Sequence, residues 1–193
     1  MNVYDFDKTL FPGHSPMCFW RFCVKHDLAV LRALPRAVFD MIRYVLGLIN
    51  WTREMQSFHG YLRYVRDPYA MAEAFWDENI SKIYPWFHEK RTDGDIVVSA
   101  APSFLVGAAC RRLGIEFIGT DMVAQTGRVN GLELSGEEKL RAYRERFGDA
   151  PIDEFYSDSR RDAPLAALAK RAFIVKKGGI VVPWDEDGEK TEI

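Results

Sequence analysis

Val3-Tyr4-Asp5-Phe6-Asp7-Lys8-Thr9-Leu10-Phe11 opens the chain, and its reading decides how the rest is organised. Val3 and Tyr4 read as the end of a buried strand, and Asp5 and Asp7 arrive where such a strand would run into a loop. In extended chain, residues two apart point to one face. Adjacent carboxylates repel unless a cation or a proton lies between them, so the pair reads as a Mg²⁺ site or a coupled acid/base dyad. Taken alone, Asp-x-Asp is more often a solvated turn.

Three stretches downstream give the pair company. Ile96-Val97-Val98-Ser99 is an apolar run ending in a hydroxyl, Lys139 follows Gly136-Glu137-Glu138, and Phe155-Tyr156-Ser157-Asp158-Ser159-Arg160-Arg161-Asp162 is a second acidic loop after an apolar run. From Asp95 onward strand-like and helical stretches alternate: strands over 96–98, 115–118, 152–156 and 172–175, and helices over 103–113, 135–147 and 163–170. That alternation favours a parallel sheet with helices on both faces. Ligands of such open sheets bind beyond the carboxyl ends of the strands, and Asp5, Ser99 and Asp158 all fall there. Lys139, near the start of its helix, can reach the same crevice. Ser135 reads as its N-cap, with Glu138 closing a capping box. Residues 121–134, with turn signals at Thr126-Gly127 and Asn130-Gly131, read as a hairpin; Gly178-Gly179 turns into a short last strand, and the chain frays from Asp185.

Between the acidic pair and the second strand the character is different. Pro12-Gly13-His14-Ser15-Pro16 breaks the chain, and residues 16–91 read as helices rich in aromatic side chains, over 17–26, 29–49, 53–65 and 69–83. The long one carries Leu31, Leu34, Val38, Met41, Ile42, Val45 and Ile49 on one face and Arg32, Arg36, Asp40 and Arg43 opposite, with Pro35 at a kink or in its first turn. The division is therefore an α/β core of residues 1–12 and 92–193 with a helical insert, 13–91.

A net charge of −2 argues against nucleic acid as a partner. Cys18, Cys23 and Cys110 form no metal-ligand spacing and are odd in number, which points to a reduced, cytoplasmic setting. No signal peptide is visible, and the arginines and aspartate of residues 28–49 rule out a bilayer span there. Oligomeric state is not legible.

The four stretches, in this order and at these structural positions, resemble the haloacid dehalogenase superfamily, and within it the phosphoserine-phosphatase-like subfamily. The resemblance implies a Rossmann-like core with an inserted helical cap and Mg²⁺-dependent hydrolysis of a phosphate monoester. It makes Asp5 the nucleophile that forms an aspartyl-phosphate, and Asp7 the general acid for the leaving alkoxide and then the base for water. Mg²⁺ would be held by Asp5, Asp158 and the backbone carbonyl of Asp7, with Asp162 acting through water or by orienting the others. Ser99 and the Ala100 N–H would hold phosphate oxygens, and Lys139 would neutralise the intermediate. Asp7 also separates this chain from the superfamily's dehalogenases, which lack that carboxylate. Two departures are visible: Lys8 and Ser157 stand where glycine is usual.

Substrate choice in this architecture lies in the cap, where the residues leave alternatives open. A soluble phosphomonoester such as phosphoserine is one. The loop Tyr156-Ser157-Asp158-Ser159, its continuation Arg161-Asp162-Ala163-Pro164-Leu165 and the aromatic-rich insert are also similar to bacterial phosphatidylglycerophosphate phosphatases, which implies a lipid phosphate. The stripe on 29–49 then either packs on the other cap helices or lies on a membrane surface. His14, Arg21, His26 and His59 are candidate substrate contacts, or else cap-surface or core residues. The third reading is a catalytically silent binding domain, which leaves the acidic set without a use.

Overall fold

The first strand, β1 (Val3–Tyr4), is two residues long and lies in the middle of the sheet. The structure is a computed structural model and describes residues 1–186. Five further strands build the sheet: β2 (Ile96–Pro102), β3 (Glu116–Thr120), β6 (Ile152–Ser157), β7 (Ala169–Lys176) and β8 (Ile180–Pro183), in the order β3-β2-β1-β6-β7-β8. Every neighbouring pair is parallel except β7 and β8. Val3 pairs with Ile96 on one side and Phe155 on the other, so β1 is flanked by apolar residues and fully buried, as a parallel central strand must be. Backbone bonds from Ile96 N to the Asn2 carbonyl and from Asp153 N to the Met1 carbonyl extend its short ladder. A separate two-stranded hairpin, β4 (Met122–Val123) with β5 (Arg128–Val129), occupies the expected excursion.

Helices α1 (Ser15–His26), α2 (Leu34–Val45), α3 (Trp51–Phe58), α4 (Pro68–Asn79) and α5 (Pro85–Lys90) fill the insert; α6 (Ser103–Leu113), α7 (Glu137–Phe147) and α8 (Ala163–Ala166) connect the later strands. α1 and α4 lie directly against α6, and Phe19, Phe75 and Trp76 share one hydrophobic cluster with Phe6, Leu105 and Val97. Trp76 adds a polar tie, its Nε1 donating to the Leu105 carbonyl at 2.8 Å. α2 and α3 pack mainly on each other and on short 3₁₀ turns.

Several expected elements are shorter than the pattern suggests. The helix over 29–49 is a 3₁₀ turn, Leu28–Ala33, followed by α2; Pro35 sits in the first turn of α2, where its missing N–H is harmless, and Gly47 at φ 70° takes the chain out of it. The helices over 53–65 and 69–83 each end in 3₁₀ turns. The helix over 163–170 stops at Ala166, because Ala169 is already paired with Ile152. Ser135 does not cap α7: the N-cap is Gly136, at φ 55° and ψ −119°, and Ser135 offers only its carbonyl to the Glu138 N–H at 3.1 Å. The fraying expected from Asp185 falls largely on residues 187–193, outside the described residues; Trp184–Glu186 make a 3₁₀ turn. The three cysteines are free, and no helix among the described residues is long and apolar enough to cross a membrane.

The larger departure concerns orientation. On α2 the one buried residue is Asp40, 2% exposed, which accepts from Ser57 Oγ at 2.8 Å and Arg43 at 3.0 Å. The apolar stripe faces outward instead, with Val38 55% and Val45 75% exposed. Packing of that stripe on other cap helices, one of the two expectations, is not what the structure shows.

Candidate active site

Asp5 lies one residue beyond β1, and its backbone N–H continues the ladder by donating to the Tyr156 carbonyl at 2.8 Å. The chain then folds tightly, with the N–H groups of Leu10 and Phe11 both donating to the Phe6 carbonyl at 2.9 and 3.0 Å. Lys8 takes φ 58° in this turn, the sole non-glycine residue at positive φ among the described residues. A left-handed backbone carries no side-chain penalty in glycine.

The tight turn directs the two carboxylates to different partners. Asp5 is buried with Lys139, whose ammonium lies 2.6 Å from Asp5 Oδ1 and 2.7 Å from Asp162 Oδ2. Asp7 is held by the Ser15 N–H at the start of α1, 3.0 Å away, with His14 Nδ1 3.9 Å from its other oxygen. Asp158, one residue past β6, approaches Lys8 Nζ at 3.9 Å. Ser99 is buried within β2, its hydroxyl accepting from the Ala101 N–H at 3.1 Å. The Ala100 carbonyl is taken by the Thr120 hydroxyl at 2.7 Å. The structure thus joins Asp5, Lys139 and Asp162 directly and links Asp158 to them. Asp7, Ser99 and Ala100 bond elsewhere and are not joined to that group.

Two residues to which the sequence assigned no role, Thr9 and Ser157, complete the cluster. Thr9, fully buried, donates to Asp5 Oδ2 at 3.2 Å and accepts from the Asp158 N–H at 2.9 Å, tying the first acidic loop to the second. Ser157 donates to Asp162 Oδ2 at 2.8 Å, so this hydroxyl orients a carboxylate. The signal for Thr9 was a hydroxyl four residues from Asp5 inside a tight turn, which could also have been an ordinary turn residue.

Electrostatics follow from burial. Removal from water pushes the Asp5 carboxyl up to about 7; Asp162 and Asp158 add to the rise, and Lys139 opposes it. Burial also raises Asp158. Lys139 is held firmly in its charged form by Asp5 and Asp162 against the burial that disfavours it. Three carboxylates face the buried Lys139 ammonium and, at Asp158, the more exposed Lys8, an excess of negative charge that a divalent cation would relieve. The donors are hard oxygens, the set Mg²⁺ takes. Among the described residues no three His, Cys, Asp or Glu side chains already form a metal-holding cluster, the Lys139 ammonium lying between Asp5 and Asp162.

The model of the haloacid dehalogenase-like hydrolases matches residues 3–167, a span that contains every one of these groups. The chain belongs to that family. Among solved structures, a protein of unknown function from Bordetella pertussis Tohama I is 24% identical, with 89% of this chain and 87% of that one covered and a TM-score of 0.71. A phosphoserine phosphohydrolase-like protein from Francisella tularensis is 16% identical, covers 89% and 86%, and gives 0.54. A probable phosphoserine phosphatase from Vibrio cholerae is 14% identical, covers 89% and 55%, and gives 0.56. At these identities the likeness is one of fold. No curated protein matches the chain. Membership explains why a haloacid dehalogenase-like hydrolase keeps its acidic cluster at the carboxyl ends of β1 and β6, the edge where parallel sheets bind ligands.

Proposed function

We propose that the chain is a Mg²⁺-dependent phosphomonoester hydrolase that passes the phosphoryl group through Asp5. The observation carrying this reading is the buried Asp5–Lys139–Asp162 triad, which keeps one carboxylate oxygen of Asp5 against a fixed positive charge. An anionic phosphate repels an anionic nucleophile, so a carboxylate attacks phosphorus only where that charge is neutralised. Lys139 supplies part of the neutralisation from this chain. Asp5, Asp158 and the Asp7 carbonyl would hold Mg²⁺, with Asp162 orienting them, and the ion would supply the remaining charge stabilisation at the phosphoryl oxygens.

The chain's own groups divide the work as follows. An Asp5 oxygen bonds to phosphorus as the ester oxygen leaves. Asp7, held by the Ser15 N–H, gives its proton to that oxygen and then accepts one from the water that cleaves the aspartyl-phosphate, releasing inorganic phosphate and restoring Asp5. Ser99 and the Ala100 N–H bind phosphate oxygens from the β2 side. Thr9 fixes Asp5 relative to Asp158. Residues 13–91 act as the cap that selects the substrate over the core of 1–12 and 92–193.

Two substrate classes share this chemistry. A small phosphometabolite such as phosphoserine is supported by the likeness in fold to the phosphoserine phosphohydrolase-like protein of Francisella and the probable phosphoserine phosphatase of Vibrio. A lipid phosphate is favoured by the outward-facing apolar stripe of α2. Phosphate release should be measured from phosphoserine, small sugar phosphates and detergent-dispersed phosphatidylglycerophosphate, with and without Mg²⁺, with Asp5→Asn as the blank. The expected result is Mg²⁺-requiring release by the natural chain and none by Asp5→Asn. Silence of folded protein on the whole panel would overturn the reading in favour of a binding domain.

A further inference from the structure

α2 is packed with its polar side inward. Asp40 is the residue it buries, satisfied by Ser57, Arg43 and, at 3.7 Å, Arg36. Leu34, Val38, Met41, Ile42 and Val45 fall at helical spacings of four, seven, eight and eleven, so they form one stripe, and all five are exposed. Val45, at 75% exposure, shows how completely the stripe is turned out. Beyond α2 it continues through exposed Leu46 and Leu48 to Trp51, whose ring meets Tyr44 edge-on at 5.6 Å. Among the described residues nothing covers it, and an apolar surface of this extent on a water-exposed helix marks a docking face.

Its charge states what docks. Residues 27–54 hold four arginines, Arg32, Arg36, Arg43 and Arg53, against Asp27, Asp40 and Glu54, and of these acids only Asp27 is exposed, Asp40 being buried and already paired. The segment is therefore cationic on a chain whose net charge is −2. A second copy of this chain across a two-fold axis would set the arginines against one another. A bilayer bearing anionic headgroups offers an apolar interior for the stripe and negative charge for Arg32, Arg36 and Arg53, which stay exposed. Tyr44 and Trp51 have the amphipathic rings that settle at headgroup level.

We infer that the outward stripe of α2, continued to Trp51, docks this protein on an anionic lipid surface. The inference rests on the hydrolase reading only for its purpose. Trp51 Nε1 donates to Glu133, in the loop leading to α7 and Lys139, and the next residue, Leu134, donates its N–H to Thr120 Oγ1 at 3.1 Å. The docking face therefore ends beside the acidic cluster, where a phosphate carried by a lipid would arrive.

The test is sedimentation of the full chain with sucrose-loaded vesicles of phosphatidylglycerol, or of phosphatidylcholine, at low salt. Phosphate release from a soluble monoester is followed in parallel. The natural chain should partition onto phosphatidylglycerol at least about tenfold more than onto phosphatidylcholine, and the double substitution Val38→Glu, Ile42→Glu should lose about tenfold or more of that binding with its circular dichroism unchanged. Both side chains are exposed, so the fold should tolerate them. Equal binding to the two lipids, binding untouched by the substitutions, or a dimer in solution that the substitutions dissolve would each overturn the inference. Vesicle binding without phosphate release would count against the hydrolase reading alone, and release by protein that stays in the supernatant against the docking face alone.

Discussion

At the scale of single residues, Thr9 is a fully buried hydroxyl that ties the two acidic loops together. It bridges the Asp5 carboxylate and the Asp158 backbone, so Thr9→Val keeps the shape and removes the bridge. The expected result is a fall in kcat of about 10- to 100-fold with little change in KM for the phosphoester, read by steady-state kinetics. His59 gives the pH dependence of stability. Its Nδ1 donates to the Met55 carbonyl at 2.9 Å, its Nε2 has no partner among the described residues, and burial pushes its pKa down to about 4. Above the ordinary histidine value both folded and unfolded chains hold it neutral; between that value and about 4 only the unfolded chain takes up the proton. Stability is therefore full at neutral pH and declines on acidification, by about 2 kcal/mol between pH 7 and pH 5 for this group. Urea unfolding at the two pH values checks it, and His59→Gln should remove that part of the slope. Of the residues that form the cluster, Asp5, Lys139, Asp158 and Asp162 were legible only jointly, from their order after strands and at a helix start and from the family resemblance, because each alone also fits a helix cap or a solvated charge. Thr9 and Ser157 were not, because a hydroxyl in a turn has many. Lys8 was legible as a departure and acquires a physical meaning from its left-handed backbone.

At the scale of elements, periodicity located the strands and most helices but not which way a helix faces. α2 reads as an ordinary amphipathic helix, and its inversion depends on Ser57 and the arginines meeting Asp40, a tertiary arrangement that no local pattern encodes. The cap of α7 failed for a related reason: Ser135 has the right chemistry, but Gly136 lies 3.2 Å, measured from the position of a Cβ, from the Arg161 carbonyl and takes the turning point itself. The hairpin of β4 and β5 was visible in its glycines, and they differ in what they protect. Gly127 is at φ 70° with a Cβ position 2.3 Å from the His59 carbonyl oxygen, whereas Gly131, at φ 89°, has open space around it. Gly127→Ala should cost about 3 kcal/mol or more, through strain and a backbone clash, and Gly131→Ala about 1 kcal/mol, through strain alone. Chemical denaturation of the two variants side by side distinguishes them; equal losses would mean that the hairpin does not seat against His59 as described.

At the scale of the whole molecule, a two-residue central strand places Asp5 between β2 and β6, the long 13–91 insert supplies the surroundings, and α7 delivers Lys139 from the far side of the chain. The α/β class follows from hydrophobic runs alternating with helical ones, whereas the strand order around β1 is set by pairings that no local pattern encodes. The sharing of one hydrophobic cluster by α1, α4 and the sheet was beyond such reading, because it depends on contacts between Phe19, Phe75, Trp76 and Leu105 far apart in the chain. The central claim, that Asp5 carries the phosphoryl group, is tested most directly by acid-quenching the protein during turnover of a radiolabelled phosphate monoester with Mg²⁺ present. Label should be bound to the protein, released by hydroxylamine as an acyl phosphate would be and absent from Asp5→Asn. Turnover without any protein-bound label, or label retained in Asp5→Asn, would contradict it.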